Sequence, residues 1–117
     1  MNLVAWSLAG LLVLFFLSHY TGYILNIRND QLFAPFHFAG GVLVALLFYG
    51  LTRSYAMSIL ATLIIGIAWE IYEVMLWKLV LKKRKYKPKK DDTRNDLVLD
   101  FVGSLAAVAL LAKGFIR

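Results

Sequence analysis

The chain has 117 residues, 61% of them hydrophobic, and a mean hydropathy of +0.69. A soluble domain of this size needs far more polar surface, so the composition excludes soluble enzymes and binding modules and indicates one integral membrane domain spanning residues 1–117. The formal charge of +6 does not imply nucleic acid, because eight of the thirteen Lys and Arg residues fall between Lys82 and Arg94, beside an apolar run and not on a basic soluble face.

A transmembrane helix takes about 20 mostly apolar residues, and four segments qualify: 3–20, 33–52, 55–81 and 97–115. The expected fold is therefore all-α, a four-helix transmembrane bundle. The first segment lacks a basic leading region and a small-residue cleavage site, so it reads as a retained helix and not a signal peptide. The connector 21–32 carries Gly22, Asn26, Asn29 and Asp30 and reads as an interfacial loop, with His19, Tyr20 and Tyr23 as anchors beside it. The second span begins with PFHFAGG, which sets His37 one turn inside the membrane above Gly40 and Gly41. Small residues of this kind let a neighbouring helix approach closely. Thr52, Arg53 and Ser54 make a tight turn into the third span, whose length predicts tilt or protrusion.

The third span contains IAWEIYEVMLW, placing Glu70 and Glu73 one turn apart in an otherwise lipid-like run. The basic stretch KKRKYKPKKDDTR follows, with Pro88 blocking helix continuation. Positive charge marks the cytoplasmic side, so this loop at 82–94 is expected inside, with both termini and Arg53 on the non-cytoplasmic side, against the lesser pull of Lys113 and Arg117. The fourth span opens with DDTRND, where Asp92 or Thr93 is a natural N-cap and Asp96 can reach back to it.

Depth counted from the cytoplasmic ends brings distant residues into one layer. Glu73 lies roughly 13 Å along the helix from Lys82 and Glu70 roughly 18 Å, at about 1.5 Å per residue. Asp96 and Asp100 lie near the start of the fourth span, and His37 near the start of the second. Asp96, Asp100, Gly103 and Ala107 share one helical face, while Glu70, Glu73 and Trp77 share another. Ionised carboxylates facing lipid are costly, so these side chains are expected to turn inward and pair. Four acids and a histidine cannot all remain charged and unpaired: protons or a cation must neutralise them. Carboxylate oxygens with one imidazole suit Mg²⁺, Mn²⁺ or Zn²⁺.

On depth, His37, Glu73 and Asp100 are the expected metal ligands, with Glu70 and Asp96 available as general base or proton relay. Plainer roles stand beside these: salt bridges of the glutamates with Lys78 or Arg94, a capping role for Asp96, an interhelical hydrogen bond for His37, and packing or interfacial roles for Trp69, Tyr72 and Trp77. Ser104 and Thr93 lack a clear adjacent base, so no nucleophile constellation is present.

The ordered set PFHFAGG, WEIYE and DDTRNDLVLDFVGS resembles the YjdF-like family of small bacterial inner-membrane proteins and, more distantly, the VanZ-like family. The shared features are a membrane-embedded histidine followed by small residues, a glutamate-bearing helix, and a D-T-x-x-D-x-x-x-(D/N)-x-x-G stretch, here Asp92, Thr93, Asp96, Asp100 and Gly103. The likeness covers Pro35 to Ala107, with a shorter first helix and without extra spans. It implies a bacterial inner-membrane, multi-pass location, and VanZ-like members imply a link to the envelope, while neither family carries over a reaction. Three classes of function follow from the residues. One is a metal- or cation-binding cluster acting on a lipid or lipid-linked phosphate, whose anionic headgroup the basic loop gathers. The second is an oligomeric proton or cation transporter or channel using Glu70 and Glu73. The third is a non-catalytic membrane assembly partner.

Overall fold

A computed structural model describes residues 2–24, 30–81 and 90–114. These residues form four helices: α1 (Leu3–His19), α2 (Asp30–Thr52), α3 (Tyr55–Leu76) and α4 (Lys90–Ala112). Wider π-helical turns extend α1 through Tyr20–Ile24 and α3 through Trp77–Leu81. The four segments apolar and long enough to cross a membrane are Leu3–Gly22, Phe33–Thr52, Tyr55–Val80 and Thr93–Ala112. The bundle measures 45 × 24 × 24 Å, and its long axis matches a bilayer including its headgroup layers, about 40–45 Å.

Local chemistry fixes the helix ends. Asn2 caps α1, its side-chain oxygen accepting from the N–H groups of Val4 and Ala5 at 3.0 and 3.3 Å. The turn between α2 and α3 is two residues long. Arg53 takes a left-handed backbone (φ 57°) and its N–H closes on the Tyr49 carbonyl at 2.8 Å. Ser54 then caps α3 by accepting from the Met57 N–H at 3.2 Å. Tyr49 and Tyr55 stack across this turn with centroids 5.2 Å apart, and the Arg53 guanidinium lies over Tyr49.

One expectation about α4 is corrected. The helix begins at Lys90, so Asp92 and Thr93 stand in its first turn and do not cap it, and Asp96 is the seventh helical residue. An acidic opening turn is compatible with the helix because carboxylates oppose the positive end of its dipole. The fourth span correspondingly starts nearer Thr93 than Leu97. The basic stretch from Lys82 to Lys89, its Pro88 break, residues 25–29 and Arg117 lie outside the described residues.

Helix α2 is the centre of the bundle: its backbone approaches α1, α3 and α4, and α3 also approaches α4. The α2–α4 crossing is glycine-made. A Cβ on Gly41 would strike the backbone of Asp100, with Asp100 C and Cα at 2.9 Å, and one on Gly103 would strike Phe38 and the Val42 N at 3.0 Å. Towards the end where α1 and α3 begin, Leu3, Ala45, Leu46, Ala107 and Leu111 form the apolar core. The buried face of α3 reads Ser58, Thr62, Gly66, Glu70, one residue per helical turn. The Ser58 and Thr62 hydroxyls bond back to the carbonyls four residues earlier at 2.8 Å, which spares their burial the cost of an unmet donor. Helix α1 packs its backbone against α2, and Trp6, Leu12, Val13 and Phe16 face outward, where a membrane supplies their apolar surroundings.

Candidate functional site

Where α1 and α3 finish and α2 and α4 begin, the inward-facing ionisable side chains meet. His37, on α2 one turn before the glycines, lies between two aspartates of α4. Its Nε2 is 3.2 Å from Asp96 Oδ2 and its Nδ1 is 3.6 Å from Asp100 Oδ1. The i, i+4 spacing stacks the two acids on one face, and the glycine crossing brings that face within reach of the imidazole. The other oxygen of Asp100 rests over Gly66 of α3, where a Cβ would be only 2.6 Å from Oδ2. Three helices therefore hold Asp100 in place.

Glu70 enters from α3. One carboxylate oxygen lies 3.5 Å from the Thr93 hydroxyl, while Oε1 is buried, in a residue only 7% exposed, and has no hydrogen-bond partner among the described residues. A native buried carboxylate oxygen left so needs an explanation, and an ion or water is the usual one. Donor atoms of His37, Glu70 and Asp96 all lie within 4.8 Å of one another. Ligands placed about 2.0–2.2 Å from one metal are at most about 4.4 Å apart, so small side-chain movements would close the group on an ion.

His37, Glu70 and Asp96 offer donor atoms within 4.8 Å of one another, and Asp100, also expected as a ligand, stands 3.6 Å from the second imidazole nitrogen. Glu73 Oε1 instead accepts a 2.7 Å hydrogen bond from Trp69 Nε1, one turn earlier on the same helix. Asp100 stays beside His37 at the longer distance. Asp96 faces His37 and is not a helix cap. Arg94, a proposed partner of the glutamates, is exposed and lines a shallow groove with Leu97, Val98 and Phe101, and Lys78 is exposed as well.

The cluster opens into a cavity of about 800 Å³. Its polar end carries His19, His37, both glutamates and both aspartates, and among the described residues no Lys or Arg lines it. Its other end is apolar, with Leu11 and Leu14 from α1, Val44 from α2 and Ile65 from α3. Across the seam between α1 and α3 the contact is made by rings. Phe15 meets Trp69 edge-on at 5.8 Å and stacks on His19 at 4.2 Å. His19 Nδ1 donates to the Phe15 carbonyl and Nε2 hydrogen-bonds the Tyr72 hydroxyl, both at 2.9 Å. This tie reveals a structural partner for His19 that sequence reading missed; the signal available was a histidine and a tyrosine at equal depth on two spans.

The family model described as Predicted membrane protein (DUF2238) matches residues 3–116. No curated protein and no solved structure matches the chain.

Proposed function

The chain belongs to the DUF2238 family of predicted membrane proteins, to which the YjdF-like proteins also belong, and from that premise we propose that its buried cluster is a divalent-cation site serving an amphiphilic substrate with a phosphate head. One observation carries the reading: donor atoms from three helices lie within 4.8 Å of one another, and the glutamate among them has a buried oxygen without a hydrogen-bond partner among the described residues. His37, Glu70 and Asp96 would hold the ion, Asp100 would fix the imidazole from its second nitrogen, and the remaining coordination positions would face the cavity. Such an ion, when bound, polarises a phosphoryl oxygen or supplies an activated water. Glu73, which lines the same cavity and accepts from Trp69 Nε1, would be available as a general base there. The mixed nitrogen and carboxylate donors suit Mg²⁺, Mn²⁺ or Zn²⁺.

The proposal extends to setting. A bacterial inner-membrane location, a cytoplasmic position for the cluster, and anionic headgroups gathered at Lys82–Arg94 all rest on the charge pattern of the sequence. Distant kinship with VanZ-like proteins rests on the Asp92–Gly103 motif. The test is Mn²⁺ titration of the purified protein by electron paramagnetic resonance. We expect one tightly held ion per chain, with affinity lowered at least roughly tenfold in Glu70→Gln and in Asp96→Asn, since loss of even an outer partner typically costs about 10–100-fold. No stoichiometric binding of Mn²⁺, Mg²⁺ or Zn²⁺ would sink the reading.

A second reading is favoured by the polar line Ser58, Thr62, Gly66, Glu70 down the buried face of α3, which leads from the other end of the bundle to the cluster. In it the protein relays protons or cations, as an oligomer if a path is to be enclosed. Ion flux in liposomes that Glu70→Gln abolishes would favour this reading over the first.

A further inference from the structure

The cavity is far larger than an ion requires, and its two ends differ in chemistry. Beyond His37 it continues along α2 past Gly40 to Val44, a distance of roughly 10 Å at 1.5 Å per residue. Leu11, Leu14, Val44 and Ile65 form this arm together with Thr62, whose hydroxyl already donates to the Ser58 carbonyl. An arm with such walls does not hold water well, because water needs polar partners that aliphatic side chains lack. In a membrane the available filling is hydrocarbon, which is as apolar as leucine.

The arm reaches the α1–α3 seam. Ile65 and Phe15 line the cavity from α3 and α1 and are 41% and 37% exposed in all. Backbones approach one another between α1 and α2, between α2 and α3, and between α4 and each of α2 and α3. Between α1 and α3, by contrast, it is rings that meet: Phe15 with Trp69, and His19 with Trp69 and Tyr72. Side-chain rotation can part such a seam without unpacking a helix crossing.

We propose that the apolar arm is a binding site for the hydrocarbon chain of a single-chain anionic amphiphile, which enters sideways from the bilayer between α1 and α3 and leaves its head at the His37–Glu70–Asp96 group. The chain site deepens the cation-site reading and takes the sign of the head from it: a cavity lined by acids accepts an anionic head through a bound cation. Glu70, which lines the cavity, has a buried Oε1 with no hydrogen-bond partner among the described residues, an acceptor that such a cation would satisfy.

The chain has three tryptophans, and Trp69 alone lines the cavity. A Trp6→Phe, Trp77→Phe protein therefore reports from the site. In lipid vesicles containing Mg²⁺, a brominated long-chain alkyl monophosphate should quench Trp69 saturably at low mole fraction. Gly40→Leu should plug the arm, since a Cβ at Gly40 meets Leu14 Cδ2 alone, at 3.6 Å. Denying the chain about two methylene groups of burial raises the half-saturating concentration roughly tenfold. Gly40→Ala, which fits by ordinary contact, should give a smaller rise, and both variants should bind Mn²⁺ as the parent does. Quenching that grows linearly with probe and ignores both Gly40 variants would overturn the chain site. So would equal saturable quenching by the matching alkyltrimethylammonium probe, because the acids would then take a cationic head directly. Mn²⁺ binding retained alongside either result leaves the cation reading intact, whereas absent Mn²⁺ binding fails that reading by itself.

Discussion

His37 addresses two acids of one helix with its two ring nitrogens, Asp96 at 3.2 Å and Asp100 at 3.6 Å. Removing the imidazole leaves two mostly buried carboxylates facing each other without a donor between them. His37→Ala is expected to destabilise the folded protein by about 3 kcal/mol, the lower end of what breaking a buried charged pair costs. Thermal unfolding in detergent measures it, and the loss should shrink when Asp96→Asn is added, giving a coupling of about 1–3 kcal/mol. Fully additive losses would show that the pair is not coupled. At this scale the sequence was informative because ionisable side chains in apolar spans have nowhere to go but inward, and His37, Glu70, Asp96 and Asp100 all went there. Depth favoured Glu73 over Glu70 as a ligand, but depth carries no information on direction around the helix. Residues three apart differ by about 60° around the helix axis at 3.6 residues per turn, and that angle decides which acid meets α4. Trp69, four residues before Glu73, captures one of its oxygens, a contact that the i, i+4 spacing allows.

Among the elements, the α2–α4 crossing governs the site, because it sets how far the imidazole stands from the aspartates. Gly103→Leu must push the helices apart against Phe38 and Val42. Overpacking of this kind costs about 1–3 kcal/mol, and the same displacement should weaken Mn²⁺ binding. Gly66→Ala separates the two effects. Its Cβ displaces the Asp100 carboxylate, 2.6 Å away, without touching the α2–α4 crossing. We expect a changed metal affinity with a smaller loss of stability, and the reverse pattern would mean that Asp100 is a packing residue alone. The small residues near His37 were visible in the sequence as an invitation to a close neighbour, though not which helix accepts it. The start of α4 was misplaced for a physical reason: DDTRND has the composition of a cap, yet the same acids suit a first helical turn, and the helix runs through them from Lys90.

For the whole molecule, the four spans followed directly from hydropathy, since a segment in lipid must satisfy its own backbone and only a helix does so alone. The side of the membrane on which each end lies comes from charge, and it can be measured without a background signal because the chain has no cysteine. Lys113→Cys, at an exposed position after α4, should react with an impermeant thiol reagent in intact cells. Arg94→Cys, exposed at the opposite end of α4, should react after lysis alone. The opposite pattern would invert the bundle and move the cluster to the outer leaflet.

Helix α1 meets α2 by backbone approach and α3 by rings, and this divides labour within the molecule. All donors of the proposed cation group stand on α2, α3 and α4, while α1 contributes Leu11, Leu14, Phe15 and His19 to the cavity wall. Replacements in α1 can therefore reshape what the cavity admits while leaving the reactive group untouched. Relatives with different first helices could share one chemistry and differ in the length or branching of the chain they accept, so that selectivity drifts on a fixed chemical core.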